Sequence, residues 1–156
     1  MRVLAIDPGT KRWGVGVGES ETGLASPLCT LTGTFERMLA DVLRLYESER
    51  AEAMLVGRPL HMDDKPHRMT VYADRLIAAL SARGITVHPF DERLTTFAAE
   101  AHLSSRRQSA RSGAIHRTRN RRISSSRNKA QVDAVAAAMM LEEAFRGGVF
   151  GTKDLD

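Results

Sequence analysis

Val3-Leu4-Ala5-Ile6-Asp7-Pro8-Gly9-Thr10 decides how the rest of the chain is read. Four apolar residues, two of them β-branched, run straight into a carboxylate and a Pro-Gly turn. A short apolar run bounded by turn residues reads as a strand buried on both faces. Asp7 then stands at the carboxyl end of a central strand, where open α/β sheets place their ligands. A lone carboxylate at a strand end is often only a turn former, so Asp7 needs partners elsewhere in the chain.

Working outward, Trp13-Gly14-Val15-Gly16-Val17-Gly18 alternates glycine with large apolar residues. At period two, a strand carries Gly14, Gly16 and Gly18 on one face and Trp13, Val15 and Val17 on the other. The glycine face admits a close approach, and is expected to leave room for a ligand backbone beside Asp7. The spacing is not GxGxxG and no helix follows, which argues against a dinucleotide fingerprint. Leu24 to Leu31 reads as a third strand, an edge because Pro27 lacks an N–H.

Phe35, Met38, Leu39, Val42, Leu45 and Tyr46 recur at helical spacing behind Thr34, a plausible N-cap. Ala53 to Gly57 is a fourth strand. Met69, Tyr72, Leu76, Ala79 and Leu80 mark a second helix, with Gly84 as its C-terminal stop. Ile85 to Phe90 is a fifth strand, followed by a short helix to about Leu103. A last helix is expected from about Lys129 to Arg146, with Ala130, Val132, Val135, Ala136, Met139 and Met140 as its apolar stripe. The order β-β-β-α-β-α-β-α-α predicts one α/β domain over residues 1–156. Its expected core is a five-stranded mixed sheet, an antiparallel meander then βα units, with helices on both faces.

Length and composition agree. A chain of 156 residues with 42% hydrophobic and 27% charged residues suits one globular core. The single cysteine, Cys29, excludes an internal disulfide and fits a reducing compartment. No apolar run is long enough for a membrane span, and none reads as a signal peptide, so the expectation is a cytoplasmic protein without a membrane partner.

Charge is unevenly spread. Arg106, Arg107, Arg111, Arg117, Arg119, Arg121, Arg122, Arg127 and Lys129 are nine cations with no acid among them. Without them the chain has 23 − 9 = 14 basic against 19 acidic residues, a net of −5. A basic block on an acidic body points to a polyanion, most often nucleic acid. The stretch of about 104–128 is rich in Ser and Arg and poor in apolar residues, and is expected to be flexible.

Two further acids suit Asp7. Glu92 lies just past the fifth strand, and Asp133 in the first turns of the last helix, with Lys129 one turn before it. A carboxylate cluster with no Cys/His spacing suits hard cations such as Mg²⁺ or Mn²⁺. Taken singly, Asp133 could equally be a helix surface charge and Glu92 a partner of Arg93.

Ile6-Asp7-Pro8-Gly9-Thr10-Lys11-Arg12-x-Gly14, Val56-Gly57-Arg58-Pro59-Leu60, Asp91-Glu92-Arg93-Leu94-Thr95-Thr96 and Lys129-x-x-x-Asp133-x-x-Ala136-Ala137 occur in that order. The set resembles the YqgF, or RuvX, family of Holliday junction resolvases, over nearly the whole chain. The resemblance implies a ribonuclease H-like fold and a metal-dependent endonuclease for structured nucleic acid, either a four-way DNA junction or the 5′ end of pre-16S ribosomal RNA. It implies an acidic triad of Asp7, Glu92 and Asp133 holding Mg²⁺ or Mn²⁺. Lys11, Arg12, Arg58, Arg117, Arg119, Arg121, Arg122 and Lys129 are the candidate nucleic-acid contacts, and a homodimer would suit a symmetric junction. Many ribonuclease H-like enzymes carry an acid after the fourth strand, where this chain has Val56-Gly57-Arg58. Two other readings stand beside it. One is a non-catalytic nucleic-acid-binding or ribosome-associated module. The other is a phosphate-binding ATPase, since Asp7-x-Gly9-x-Lys11 resembles the phosphate loop of actin-like kinases, but those pair two such domains and this chain is too short.

Overall fold

The computed structural model describes residues 1–60, 67–91 and 121–151, and for 121–129 the helical backbone alone. The elements are β1 (Arg2–Pro8), β2 (Arg12–Glu19), β3 (Leu24–Thr32), α1 (Phe35–Ser48), β4 (Ala53–Gly57), α2 (Arg68–Ser81), β5 (Val87–Phe90) and α3 (Arg121–Arg146). They build a five-stranded sheet in the order β3-β2-β1-β4-β5. β1 pairs antiparallel with β2 and parallel with β4, β2 antiparallel with β3, and β4 parallel with β5. This is the expected meander followed by βα units. The expected helix ending near Leu103 lies outside the described residues.

β1 is central, and Val3 to Ile6 are fully buried. Its alternation sorts the core into two layers. Leu4 and Ile6 pack with Trp13, Val15, Met38, Val42 and Leu76 under α1 and α2. Val3 and Ala5 pack with Leu55, Ala137, Leu141 and Ala144 under α3. Asp7, two residues beyond Ala5, continues the α3 side of the strand. Cutting Leu4 or Ile6 back to Ala would remove about 2–5 kcal/mol of stability.

Local chemistry explains the ends. The Thr34 hydroxyl accepts from the Arg37 N–H at 3.2 Å and caps α1. α2 starts on His67, whose Nδ1 accepts from Met69 N–H while Thr70 Oγ1 accepts from His67 N–H. Pro27 does lie on an edge strand. It pairs with Gly16 next to a bulge, so its missing N–H interrupts no inner ladder.

α3 departs from expectation in two ways. It begins at Arg121, eight residues before Lys129, so Arg121, Arg122 and Arg127 belong to a helix rather than a flexible loop. Arg121 to Asn128 contains neither Gly nor Pro, and arginine propagates a helix well once a downstream segment has nucleated it. The buried face is also rotated. Ala134, Ala137, Ala138, Met140, Leu141 and Ala144 are buried, whereas Val132 is 61% exposed. Small residues, Ala134, Ala137 and Ala138, face β2 because its glycine face approaches the helix backbone too closely for large ones, while Met140 and Leu141 pack with Val3, Ala5 and Leu55.

Candidate active site

The glycine face of β2 is where that strand meets α3. A Cβ on Gly14 would lie 1.9 Å from the Asp133 carbonyl oxygen, and one on Gly16 would lie 2.8 Å from the Ala138 nitrogen. The expectation that this face stays open for a ligand is therefore corrected: the last helix fills it, glycine against alanine. The same contact brings Asp133 to the end of the sheet. Gly14 is the Cα partner of Asp7 on β1, so one residue without a side chain separates the two carboxylate-bearing backbones. Because α3 starts at Arg121, Asp133 sits in the helix interior rather than in its first turns.

Thr30, the β3 partner of Gly14, donates its hydroxyl to the Ala130 carbonyl, one turn before Asp133. Further along, Glu142 Oε1 accepts from the Ala25 N–H at 3.2 Å. Both bonds tie α3 to β3 and fix the helix lengthwise. Sequence reading missed Thr30, and only its place beside the glycine strand could have signalled it.

Asp7 and Asp133 line one cleft of about 520 Å³ together with Pro8, Gly9, Thr10, Lys11 and Arg12. Residues 9–11 form the turn between β1 and β2, with Pro8 and Arg12 as the strand ends that flank it. Its shape is held from within: Gly9 N–H donates to the Arg12 carbonyl at 2.8 Å. Trp13 Nε1–H is shared between the Gly9 carbonyl and Tyr72 Oη, each at 3.1 Å. The Trp13 ring is fully buried and meets Phe35 and Tyr72 edge to face. The cleft wall thus rests on the aromatic core beneath α1 and α2.

Arg12 Nε stands 3.1 Å from Asp133 Oδ2. That oxygen is buried and accepts no aligned hydrogen bond from the described residues, so the contact is an ion pair rather than a directed bond. Arg12 therefore holds a carboxylate in this state, whereas the sequence pointed to phosphate. Arg58 is also engaged: its Nε and Nη2 donate to Asp74 Oδ1 and Oδ2 at 2.6 and 3.1 Å. That fork raises the Arg58 pKa. Arg58 is not among the residues lining the cleft.

Of the expected triad, the structure brings Asp7 and Asp133 together. Glu92 lies outside the described residues, and its neighbour Asp91 is the first residue past β5. Among the described residues no three His, Cys, Asp or Glu side chains form a group that could hold a metal. Lys11 lines the cleft; Arg117 and Arg119 lie outside the described residues, and Arg121, Arg122 and Lys129 are described as backbone of α3 only. No described helix is long and apolar enough to cross a membrane.

The architecture and the chain both have relatives. The RuvC of T. thermophilus, solved in complex with a Holliday junction substrate, superimposes with a TM-score of 0.54 at 20% identity. The match covers 94% of this chain and 95% of that one and shows the fold to be ribonuclease H-like. Two proteins named "Putative pre-16S rRNA nuclease" are closer in sequence. The one from Pseudomonas savastanoi pv. phaseolicola is 38% identical over 144 residues, covering 90% of this chain and 88% of its own length. The one from Chloroflexus aurantiacus is 34% identical over 146 residues, covering 90% and 84%. The family model described as "RuvX: Holliday junction resolvase" matches residues 1–118, a span that holds Asp7 and Glu92 and ends before Asp133. With that match and those identities, the chain belongs to the RuvX family.

Proposed function

We propose that the chain is a divalent-metal-dependent endonuclease that hydrolyses phosphodiester bonds in structured nucleic acid. The observation that carries the reading is the convergence of Asp7, from the end of the central strand, and Asp133, from the last helix, on one cleft walled by Lys11 and Arg12. Two carboxylates from separate elements in a cleft with two cations suit a site that binds a hard cation and a phosphate together.

The donor set fits Mg²⁺ or Mn²⁺. Oxygen ligands dominate, and the buried Asp133 Oδ2 lacks an aligned donor among the described residues. Asp7 and Asp133, with Glu92 from the Asp91-Glu92-Arg93 segment, would hold the metal. When bound, it would supply an activated water and stabilise the leaving oxygen in an in-line displacement. The residues themselves do the rest. Lys11 attracts the phosphate to the turn after β1, and the rigid turn on Trp13 fixes the distance between that phosphate and Asp7. The basic run from Arg106 to Lys129 would follow the nucleic-acid backbone.

The family description and the names of its relatives suggest two substrates, a four-way DNA junction and a 16S ribosomal RNA precursor. A junction carries two equivalent strands and one cleft cuts one, so symmetric resolution would take two copies of the chain. The deciding assay supplies Mn²⁺ or Mg²⁺ with three substrates: a four-way DNA junction, plain duplex DNA and a 5′-extended 16S RNA. Specific cleavage of either structured substrate, lost on chelation, is expected. Binding without cleavage under every metal condition would instead indicate a non-catalytic nucleic-acid module.

A further inference from the structure

We propose that Arg12 is a built-in competitor of the metal: its guanidinium occupies the Asp133 carboxylate in the free protein and must leave when a divalent cation binds there. The inference rests on the metal-site reading above. It is carried by three observations. Arg12 Nε lies 3.1 Å from Asp133 Oδ2, and that oxygen is buried. The oxygen accepts no aligned hydrogen bond from the described residues, so a cation is what compensates its burial. Arg12 and Asp133 line the same cleft as Asp7, so a cation shared by the two carboxylates would meet the guanidinium.

The geometry suits exchange rather than permanence. A structural arginine is commonly held by a forked pair, as Arg58 is on Asp74. Arg12 offers Asp133 one off-axis contact, and its side chain is 38% exposed. Such a pair is weak enough to open, yet its charge sits where an incoming dication would be repelled. Arg12 would keep the free site neutral and hold Asp133 aimed into the cleft, at a cost to metal affinity.

The test is calorimetric titration of Mn²⁺, without nucleic acid, into the wild type, Arg12→Ala, Arg12→Gln and Lys11→Ala, with thermal unfolding as the fold control. Both Arg12 variants should bind Mn²⁺ roughly three- to tenfold more tightly. Lys11→Ala removes the same charge from the same cleft without touching Asp133, and should change the Kd less than about twofold. Having Gln beside Ala keeps the test valid if the shorter side chain disturbs folding. Unchanged or weaker binding in the Arg12 variants overturns the competition. So does an equal gain in Lys11→Ala, which would make the effect one of general charge. If neither the wild type nor any variant takes up Mn²⁺, the metal-site reading falls too, and the competition with it.

Discussion

Gly14 and Asp133 touch backbone to backbone: a single added methyl on Gly14 would stand 1.9 Å from the Asp133 carbonyl oxygen. The obstacle is helix backbone, so no side-chain rotation relieves it. Gly14→Ala must push α3 off β2, or tilt it, and Asp133 moves with it. Destabilisation of about 1–3 kcal/mol is expected from overpacking alone, with cleavage lost more completely than stability. Gly16→Ala, at 2.8 Å from the Ala138 nitrogen, should unfold at a lower denaturant concentration too but keep more activity. Denaturant melts beside cleavage rates check both. Equal activity in Gly14→Ala and the wild type would mean that the position of Asp133 does not matter.

Asp7→Asn should abolish cleavage while leaving folding and nucleic-acid binding nearly intact. The change removes a metal ligand while keeping the side chain's size and shape, so the packing of the sheet should be left as it is. Glu92→Gln and Asp133→Asn should also abolish cleavage, and the losses should not add, because the residues act as one unit. Asp133→Asn also gives up the ion pair with Arg12. Single-turnover rates on the preferred substrate, with Mn²⁺ present, decide it.

Cys29 gives a pH-dependent expectation. Partial burial raises its thiol pKa, with Asp41 and Glu49 adding to the rise. The thiol should therefore alkylate more slowly than a free thiol at pH 8. A raised pKa in the folded state means the fold holds the proton more tightly than the unfolded chain does. Its contribution to stability is then full below the ordinary thiol range near 9 and falls as pH rises through the folded value. Iodoacetamide kinetics across pH 7–10 measure the first effect. The second is read as a drop in melting temperature above pH 9 that Cys29→Ser lacks.

The sequence carries β1, β2 and β4 as short buried runs closed by turn residues, which is why they are legible without coordinates; β3, which buries no residue fully, is legible as an edge because Pro27 lacks an N–H. Asp7 is legible for the same reason, since a buried run points its last residue at the end of the sheet. The glycine face was legible as a face but not by its occupant: Gly14, Gly16 and Gly18 announce a close approach, and only the matching run Ala134, Ala137 and Ala138 could have named the helix as the partner. The stripe read from the sequence on α3 includes Met140, which is buried, and Val132, which is exposed, because where the helix crosses the glycines of β2 only small residues fit. Its start was missed because Arg121 to Asn128 shows no apolar period, and backbone hydrogen bonds leave no such mark. The Arg12–Asp133 pair spans 121 positions in the chain and has no sequence signal at all.

The basic run yields the last expectation. With nine cations set aside the remaining chain carries a net −5, so by itself it should repel a polyanion. Attraction must then come largely from Arg106 to Lys129. If about six of those charges meet phosphates, log affinity should fall with log salt at a slope near −5. Arg121 and Arg122 are the first residues of α3, the helix that also carries Asp133. Changing Arg117, Arg119, Arg121 and Arg122 to Ala should weaken binding to every duplex-containing substrate. It should also flatten the slope by roughly 3–4 units, at about 0.9 for each phosphate that is no longer neutralised. Helix stability should hold, because at positions 121 and 122 alanine supports a helix at least as well as arginine does. Fluorescence anisotropy across a salt series measures the slope. An unchanged slope in the quadruple variant would move the nucleic-acid surface to Lys11 and the turn after β1, where the cleft already carries positive charge.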